Sequence, residues 1–495
     1  MELREVLAGA SVAEWIGEAG VEVSGLAYDN REVGRGDLFF CVPGGRSDGH
    51  AFAPAAVEAG AAALVVERRL DLPVAQALVA DARAAMAPAA AAFWGDPTAE
   101  LQVAGITGTN GKTTTAFLVR HVLERTGTQT GLLGTVKRIV GGRSEEVERT
   151  TPEAIDLQRT FREMLEAGDR ACVIEVSSHA LALGRTDGVR FAAATFTNLT
   201  QDHLDFHDDM EDYFLAKSRL FAASPVPAAG AAVNIDDPYG ARLAGEARDA
   251  GAPALLSFSA DGADADLAAV EISFDAGGSR FVCRAPDGEH HVSLPLPGHF
   301  NVSNALAAIA TASILGVPAG EAAAALADVE LVPGRMEPID EGQPFAVVVD
   351  YAHTPDSVEN VLAAARRITA GRVIAVLGAG GDRDRDKRPL MGAAAARLAD
   401  VVVVTSDNPR SEEPGGIIEE ILAGMGGDDA VAEVESEIDR RAAIAIALAR
   451  ARPGDAVVIA GKGHEQGQEF ERGRKLAFDD RDVARSELRA LRAAT

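Results

Sequence analysis

Cysteine is nearly absent from this 495-residue chain: there are three, an odd number. Cys41, Cys172 and Cys283 lie far apart in apolar or strand-like runs with no metal-ligand spacing. That excludes a disulfide framework and a cysteine-based metal site, and it fits a reducing compartment. Long apolar runs are missing too. No stretch reaches about 18 consecutive apolar residues, so no membrane-spanning helix is expected. The opening "MELREVLAGASVAEWIGEAG" lacks the charged start and apolar run of a secretory leader. Positive charge is scarce, with 47 Lys and Arg against 75 Asp and Glu and a net charge of −28. Such a surface argues against general binding to nucleic acid or anionic membrane. An anionic substrate must therefore meet a local cationic site against the global field. What is present, 47% hydrophobic and 25% charged residues, suits a soluble globular protein. The expected location is the cytoplasm.

The length is too great for one core and suggests about three domains. Residues 1–98 hold the strand-like runs "GDLFFCVPG" and "AAALVVE" and end at the turn-rich "FWGDPTAE". Residues 99–332 alternate apolar runs ("LQVAGITG", "ACVIEVSS", "FAAATFTNL", "AAVNIDD") with helical sequence. Alternation of this kind implies a mainly parallel sheet covered on both faces. Within that span "ISFDAGGSRFVCRAPDGEHHVSLPL" reads instead as antiparallel strands with Gly-rich and Asp-Gly turns. In residues 333–495 the alternation restarts with "FAVVVDYAH", "RVIAVLGAGG", "DVVVVTSDNPR" and "DAVVIAGKG", a second strand–helix unit with its own core. The fold class is α/β. No internal repeat of useful length appears.

In "GITGTNGKTTT" (105–115) a strand runs into a Gly-rich turn and a helix start. The usual phosphate-loop spacing fails, because Ile106 stands where a glycine is wanted five residues before Gly111. The physics of an anion site survives: turn N–H groups and the helix dipole both favour phosphate. Gly108 and Gly111 allow close backbone approach, Lys112 reaches the outer phosphates, and Thr113 is placed to ligate Mg²⁺. The bland alternative is a strand-to-helix turn that happens to carry a lysine.

The loop is followed, in order, by "TTPEAIDLQ", "EVSSHAL", "FTNLTQDHLDFH", "YFLAKSRLF", "GHFNVSNALAA", "VPGRMEPI", "VVDYAHTPDSVENVL", "GDRDRDKRPLMG", "TSDNPRSEEP" and "AGKGHE". With these motifs the chain resembles the Mur ligases of bacterial cell-wall synthesis, ATP-dependent amide-bond formers, over essentially its whole length. The resemblance implies a UDP-sugar-binding N-terminal domain, a central phosphate-loop ATPase-like domain, and a Rossmann-like C-terminal domain that binds an amino acid. It implies that ATP phosphorylates a carboxylate to an acyl phosphate, which an amine then attacks. The substrates so implied are UDP-N-acetylmuramoyl-L-alanyl-D-glutamate and meso-diaminopimelate, handled by a monomer. L-Lysine in place of diaminopimelate, and folate polyglutamate synthesis through the same Gly-Thr-Asn-Gly-Lys loop, remain as alternatives. A nucleotide switch or motor would bring a clear Walker-type aspartate strand, and none is evident. A silent UDP-sugar binder sits poorly with Lys112, Thr113, Glu175, His203 and Lys217 all present.

By the same resemblance, Gly108, Thr109, Asn110, Gly111, Lys112, Thr113 and Thr114 cradle ATP. Asn301 faces the adenine, and Arg335, Asp350 and His353 close over the nucleotide. Thr113 and Glu175 are the candidate ligands of one Mg²⁺ and His203 of a second, with Lys217 as a carbamate supporting the metal. Each residue also has a plainer reading. Glu175 ends an apolar strand, where a lone acid is usually solvated; Lys217 is a helical lysine snorkelling to solvent; Asn301 and Asn304 are helix caps; Arg335 forms an interdomain salt bridge. His203 and His207 have the i, i+4 spacing of a zinc site, without a convincing third ligand. For the UDP-sugar the resemblance points to Tyr28, Asn30, Gly45, Arg46 and Ser47, and for the muramoyl-dipeptide to Thr150, Thr151, Ser177 and Arg185. Tyr28 and Asn30 stand where relatives often carry leucine and serine, and Leu183 where some have glutamine. For diaminopimelate, "DNPR" offers Asp407, Asn408, Pro409 and Arg410, whose planar fork suits a carboxylate. The resemblance adds Arg388, Gly461 and Glu465. The plainer reading of "DNPR" is an exposed turn.

Overall fold

A computed structural model describes residues 1–44, 47–147, 149–222, 227–249, 254–275, 277–427 and 429–493. Three sheets organise them. The N-terminal sheet has five strands in the order Val12–Ile16, Ala75–Val79, Ala63–Val66, Asp37–Phe40, Gly25–Ala27. All neighbours are parallel except the first pair. Helix Ala82–Phe93 starts where Asp81 accepts a hydrogen bond from Ala84 N, and it buries Ala82, Ala85, Met86 and Ala89.

The central sheet has eleven strands. Its middle is parallel, in the order Leu255–Ser259, Ala231–Asn234, Phe191–Phe196, Gln102–Thr107, Ala171–Glu175, Thr130–Leu133. Leu267–Asp275, Gly278–Ala285 and Gly288–Leu294 extend one edge as an antiparallel meander. Strand Ala171–Glu175 is buried at every residue, as a parallel strand covered by helices on both faces must be. Strand Gln102–Thr107 lies between the strands that lead out to either side, so its carboxyl end opens at the switch point of the sheet. The next element, helix Lys112–Arg125, buries Leu118, Val119, Val122 and Leu123. It packs beside helix His299–Ile314, whose alanines bring the two axes close.

The C-terminal sheet runs Glu337–Pro338, Ala346–Asp350, Ala456–Ala460, Val373–Leu377, Val401–Thr405, Glu433–Glu437 and is parallel apart from the first strand. The valine run Val401–Thr405 is wholly buried. β-Branched side chains fit this two-sided burial. One face packs Val361, Leu362, Met391 and Ile421, the other Ile444, Leu448, Val483 and Leu488. No helix among the described residues is long and apolar enough to cross a membrane.

The domains meet through apolar contacts, Ala154 and Ile155 against the first-domain core and Phe300 against the third, and through polar ones. Tyr28 Oη donates to Asp156 Oδ2 at 2.7 Å, joining the first to the second. Asn110 Nδ2 donates to Asp356 Oδ2 at 2.7 Å, and Lys387 Nζ to Asp202 Oδ1 at 3.0 Å, joining the second to the third. The turn carrying Arg335 is pressed onto the loop after Ala456–Ala460. Gly334 has φ +65, and a Cβ there would strike the backbone of Gly463 and His464.

Arg440 and Asp480 form an ion pair at 2.7 Å, both side chains fully buried. Arg440 also donates to the carbonyls of Ser406 and Ala460, so it ties the last helix to two strand ends. Arg440→Ala strands a buried carboxylate and is expected to destabilise the C-terminal domain by about 3–5 kcal/mol. Hydrogen exchange in strands Val401–Thr405 and Ala456–Ala460 is the readout, and unchanged protection there would show the pair to be dispensable.

Candidate active site

A cleft of about 950 Å³ lies between the carboxyl ends of the central strands and the facing edge of the third domain. The phosphate loop forms its floor, and its unusual spacing has a structural cause. Gly108 has φ +148, a conformation open to glycine, and a Cβ there would collide with the Thr197 hydroxyl. The loop is held from below by the neighbouring strand end: Thr109 N donates to Asn198 O at 2.9 Å, and Asn110 N to Asn198 Oδ1 at 2.8 Å. Thr197 Oγ1 donates to Asn110 O at 2.6 Å. The glycine needed for close approach has moved to 108 because that is where the backbone crosses Thr197.

Thr113 and Glu175 are adjacent, as expected. Thr113 Oγ1 donates to Glu175 Oε2 at 2.8 Å, while Thr135 N and Oγ1 donate to the same carboxylate at 2.8 and 3.0 Å. Glu175 is fully buried, so it is not a solvated strand terminus. Lys112 Nζ folds back onto the carbonyls of Gly108 and Thr109, and burial draws its pKa below the usual lysine value. Lys217 does not snorkel. It is 1% exposed, donates to Gly108 O at 2.8 Å and sits 4.6 Å over the Tyr213 ring. Burial, then the nearby Lys112 charge, push its pKa well below the ordinary value.

His203 takes a left-handed backbone (φ +57), and burial pushes its pKa down to about 3, against the pull of Asp202. A neutral imidazole of this kind is the form that ligates metals. His207 turns its Nδ1 to Asp212 at 2.9 Å and stacks on Tyr213, a packing role. Asn301 and Asn304 are buried inside helix His299–Ile314, whose cap position is Gly298, so neither caps it. Arg335 donates to Thr113 Oγ1 at 3.0 Å, lies 4.4 Å over Tyr351 and forms no ion pair among the described residues. Asp350 accepts from Met336 N and Ala352 N, fixing the turn that presents Arg335, and burial raises its pKa. His353 lines the cleft with its Nδ1 on Tyr351 O, and burial pushes it down to about 4.

On the opposite wall "DNPR" is not an exposed turn: Asp407, Asn408 and Pro409 are buried. Asn408 Nδ2 donates to Glu465 Oε2 at 2.8 Å, and buried Lys462 donates to both side chains. Arg410 (φ +50) donates through Nε to Glu469 and through Nη1 to Gly381 O. Asp407, Asn408, Arg410, Gly461 and Glu465 line the cleft.

Arg388 does not reach it. It is fully buried and held by Glu412, Glu420 and the Gly380 carbonyl. Arg383, five residues earlier, is exposed and lines the cleft; its one described hydrogen bond goes to the Asp382 carbonyl at 3.3 Å. Lys387 and Asp202 also line the cleft and were not singled out by the sequence. Although burial raises it, the Asp202 carboxyl is held well below the usual range by Lys387, His203 and His353. His179 was missed as well; it stacks on Phe206 with centroids 4.0 Å apart and meets His203 edge-on at 4.9 Å. The signal for Lys387 and Arg383 lay in "GDRDRDKRPLMG", where several cations compete and only burial separates them.

Thr150, Thr151, Ser177 and Arg185 line the same cleft, beyond Glu175. Tyr28, Asn30 and Ser47 lie on the N-terminal domain away from it, and Leu183 closes helix Ser178–Ala182 without lining it. Gly45 and Arg46 fall outside the described residues.

Three family models match in chain order: the "Mur ligase family, catalytic domain" at residues 22–95, the "Mur ligase middle domain" at 106–312, and the "Mur ligase, glutamate ligase domain" at 334–463. The UDP-N-acetylmuramoyl-L-alanyl-D-glutamate--2,6-diaminopimelate ligase of Streptomyces coelicolor is 47% identical, over 97% of this chain and 96% of its own. The chain belongs to the Mur ligase family. The ligase of the same name from Geobacillus kaustophilus is 45% identical over 96% of this chain and 97% of its own. Among solved structures, one UDP-N-acetylmuramoyl-L-alanyl-D-glutamate--2,6-diaminopimelate ligase superposes with a TM-score of 0.70 at 31% identity, covering 99% of each chain. Folylpolyglutamate synthase of Mycobacterium tuberculosis shares the fold at 20% identity, with a TM-score of 0.63 over 82% of this chain and 95% of its own.

Lys112 lies on the cleft floor with its ammonium on the carbonyls of Gly108 and Thr109. Lys112→Ala is expected to lower turnover by about 3 kcal/mol or more of transition-state stabilisation, with thermal unfolding unchanged. A folded variant with near-normal turnover would remove this loop from the chemistry.

Proposed function

We propose that this Mur ligase joins meso-diaminopimelate to UDP-N-acetylmuramoyl-L-alanyl-D-glutamate, with ATP activating the glutamyl carboxylate. One observation carries the reading. A single cleft places the phosphate loop and Glu175 on one wall and the Asp407–Arg410 turn on the other, with Thr150, Thr151, Ser177 and Arg185 at its end. Activation forms a bond from the carboxylate oxygen to the γ-phosphorus and releases ADP, leaving an acyl phosphate. The amine nitrogen then bonds to the acyl carbon, phosphate leaves, and the amine gives up a proton. Lys112 and Arg335 neutralise the transferring phosphoryl group in a site where burial strengthens each charge. Thr113 Oγ1 and the Glu175 carboxylate are hard oxygen donors beside the phosphate loop, a donor set that fits Mg²⁺, and His203 would hold a second ion. When bound, the ion supplies charge neutralisation between the carboxylate and the triphosphate.

Burial gives Lys217 a rationale for carbamylation. A lysine kept neutral attacks CO₂ through its nitrogen lone pair, loses a proton and becomes an anion. Its remaining N–H still serves the Gly108 carbonyl. Lys217→Ala is expected to be nearly inactive and to regain part of its activity with a small added carboxylate. A bare ammonium in a high-resolution density map under bicarbonate would dispose of the carbamate.

Diaminopimelate carries a distal carboxylate and ammonium that lysine replaces with a lone amine. Arg410 and the free Arg383 suit the carboxylate, and Asp407 and Glu465 suit the ammonium. Arg388 supports this wall from behind through Glu412. The site is complete within one chain, which fits a monomer. The deciding experiment is ATP-dependent ligation with the UDP-muramoyl-dipeptide and a panel of amino acids. Diaminopimelate is expected to be preferred. Arg410→Ala should lose about 2–5 kcal/mol with diaminopimelate, because the distal carboxylate is left unpaired, and little with lysine. Preference for lysine at equal concentration would overturn the assignment.

A further inference from the structure

We infer that Glu153 is a positioning residue for the UDP-linked dipeptide, setting Arg185 and tying it to the N-terminal domain; this rests on the function proposed above. Glu153 is 5% exposed and meets three arginines from three parts of the chain. Arg83, on helix Ala82–Phe93 of the first domain, donates to its Oε2 at 2.9 Å. Arg149, just before Thr150, approaches Oε1 at 3.5 Å, and Arg185 Nε lies 3.0 Å from the same oxygen.

The placement of this carboxylate is unusual for its backbone position. Glu153 occupies the cap position of helix Ala154–Glu166, where an acid ordinarily accepts from the helix N–H groups, yet it makes no such bond. Its side chain is given to the arginines instead. One carboxylate facing three guanidinium groups leaves a local excess of positive charge in a strongly acidic protein. Arg149 and Arg185 both line the cleft, so the excess faces the space where an anionic substrate would lie.

Arg185 is fixed on two sides. Its Nη1 donates to Thr151 O at 3.1 Å, and its Nε lies 3.0 Å from Glu153 Oε1 as an ion pair without hydrogen-bond geometry. Nη2 makes no hydrogen bond among the described residues. Thr151 Oγ1 in turn donates to Glu175 O at 2.9 Å. A line of contacts therefore runs from Arg83 in the first domain through Glu153, Arg185 and Thr151 to the strand end that carries Glu175. Pure scaffolding would need only the Arg83 contact. The additional grip on Arg185 is what holds one guanidinium edge out towards a substrate carboxylate.

Steady-state kinetics of the full-length ligase with ATP, diaminopimelate and the UDP-muramoyl-dipeptide test this. Glu153→Ala is expected to raise KM for the dipeptide by about tenfold or more while KM for ATP stays put. In a double-mutant cycle, Glu153→Ala combined with Arg185→Ala should cost no more than Arg185→Ala alone, since Glu153 acts through Arg185. Glu153→Asp should recover part of the loss. If Glu153→Ala does not fold, Glu153→Gln and Arg83→Gln carry the same test, each raising KM for the dipeptide selectively. An unmoved KM, or losses that multiply in the cycle, would overturn the positioning role. Wild-type turnover measured alongside separates the claims: normal turnover with an unmoved KM in the variants leaves the ligase reading standing and removes Glu153 from it.

Discussion

Charge is the constraint on which the rest of this molecule depends. A chain with a net charge of −28 must bring a triphosphate and a carboxylate into contact. Its solution is to spend very few lysines and to bury half of them. Of six lysines, Lys112, Lys217, Lys387 and Lys462 lie in or behind the cleft, and the last three are buried. Each has a partner that makes burial tolerable: backbone carbonyls for Lys112 and Lys217, Asp202 for Lys387, Asn408 and Glu465 for Lys462. An unpaired buried ammonium would neutralise or unfold its surroundings. The phosphate-loop turn thus holds two lysine side chains through its own carbonyls, Gly108 serving both.

The same constraint explains why the site is shared between domains. One wall of the cleft is built on the carboxyl ends of the central strands and the other on those of the C-terminal sheet. Contacts between them combine polar bridges (Asn110 to Asp356, Arg335 to Thr113, Lys387 to Asp202) with an apolar contact, Phe300 of the second domain packing against the core of the third. Polar bridges of this kind break and re-form at lower cost than buried apolar core, as is common between domains of one chain. Arg335 is the most telling of them. It is presented by the interdomain turn, stiffened by Asp350, and lands on the threonine next to Glu175.

Much of this was legible in the sequence, for identifiable reasons. Strand–helix alternation and the strand–glycine–helix signature at 105–115 are local, so they give the sheets and the loop directly. Lys217 was opaque because its environment is made by Gly108, more than a hundred residues away, and by Tyr213 beneath it. The surroundings of Arg388 were opaque for the same reason. Nothing in "DRDRDKR" says which arginine faces the cleft; Glu412 and Glu420, on a later turn and helix, claim Arg388 and leave Arg383 free. Glu175 and the "DNPR" turn looked like surface features because burial is a property of the assembled sheet. The histidine spacing at 203 and 207 was real, but Asp212 and Tyr213 take His207 into packing.

The shifted phosphate loop ties these threads together. In the common spacing the first glycine opens the loop widely, whereas here the turn is short and must be braced from the next strand. Thr197 and Asn198 provide the brace. That strand then continues through Thr200, whose carbonyl accepts from Thr109 Oγ1, to Asp202 and His203. The brace and the cleft-lining His203 are therefore one continuous segment. The loop is thereby hydrogen-bonded to the same stretch of backbone that carries Asp202, the partner of Lys387 in the third domain.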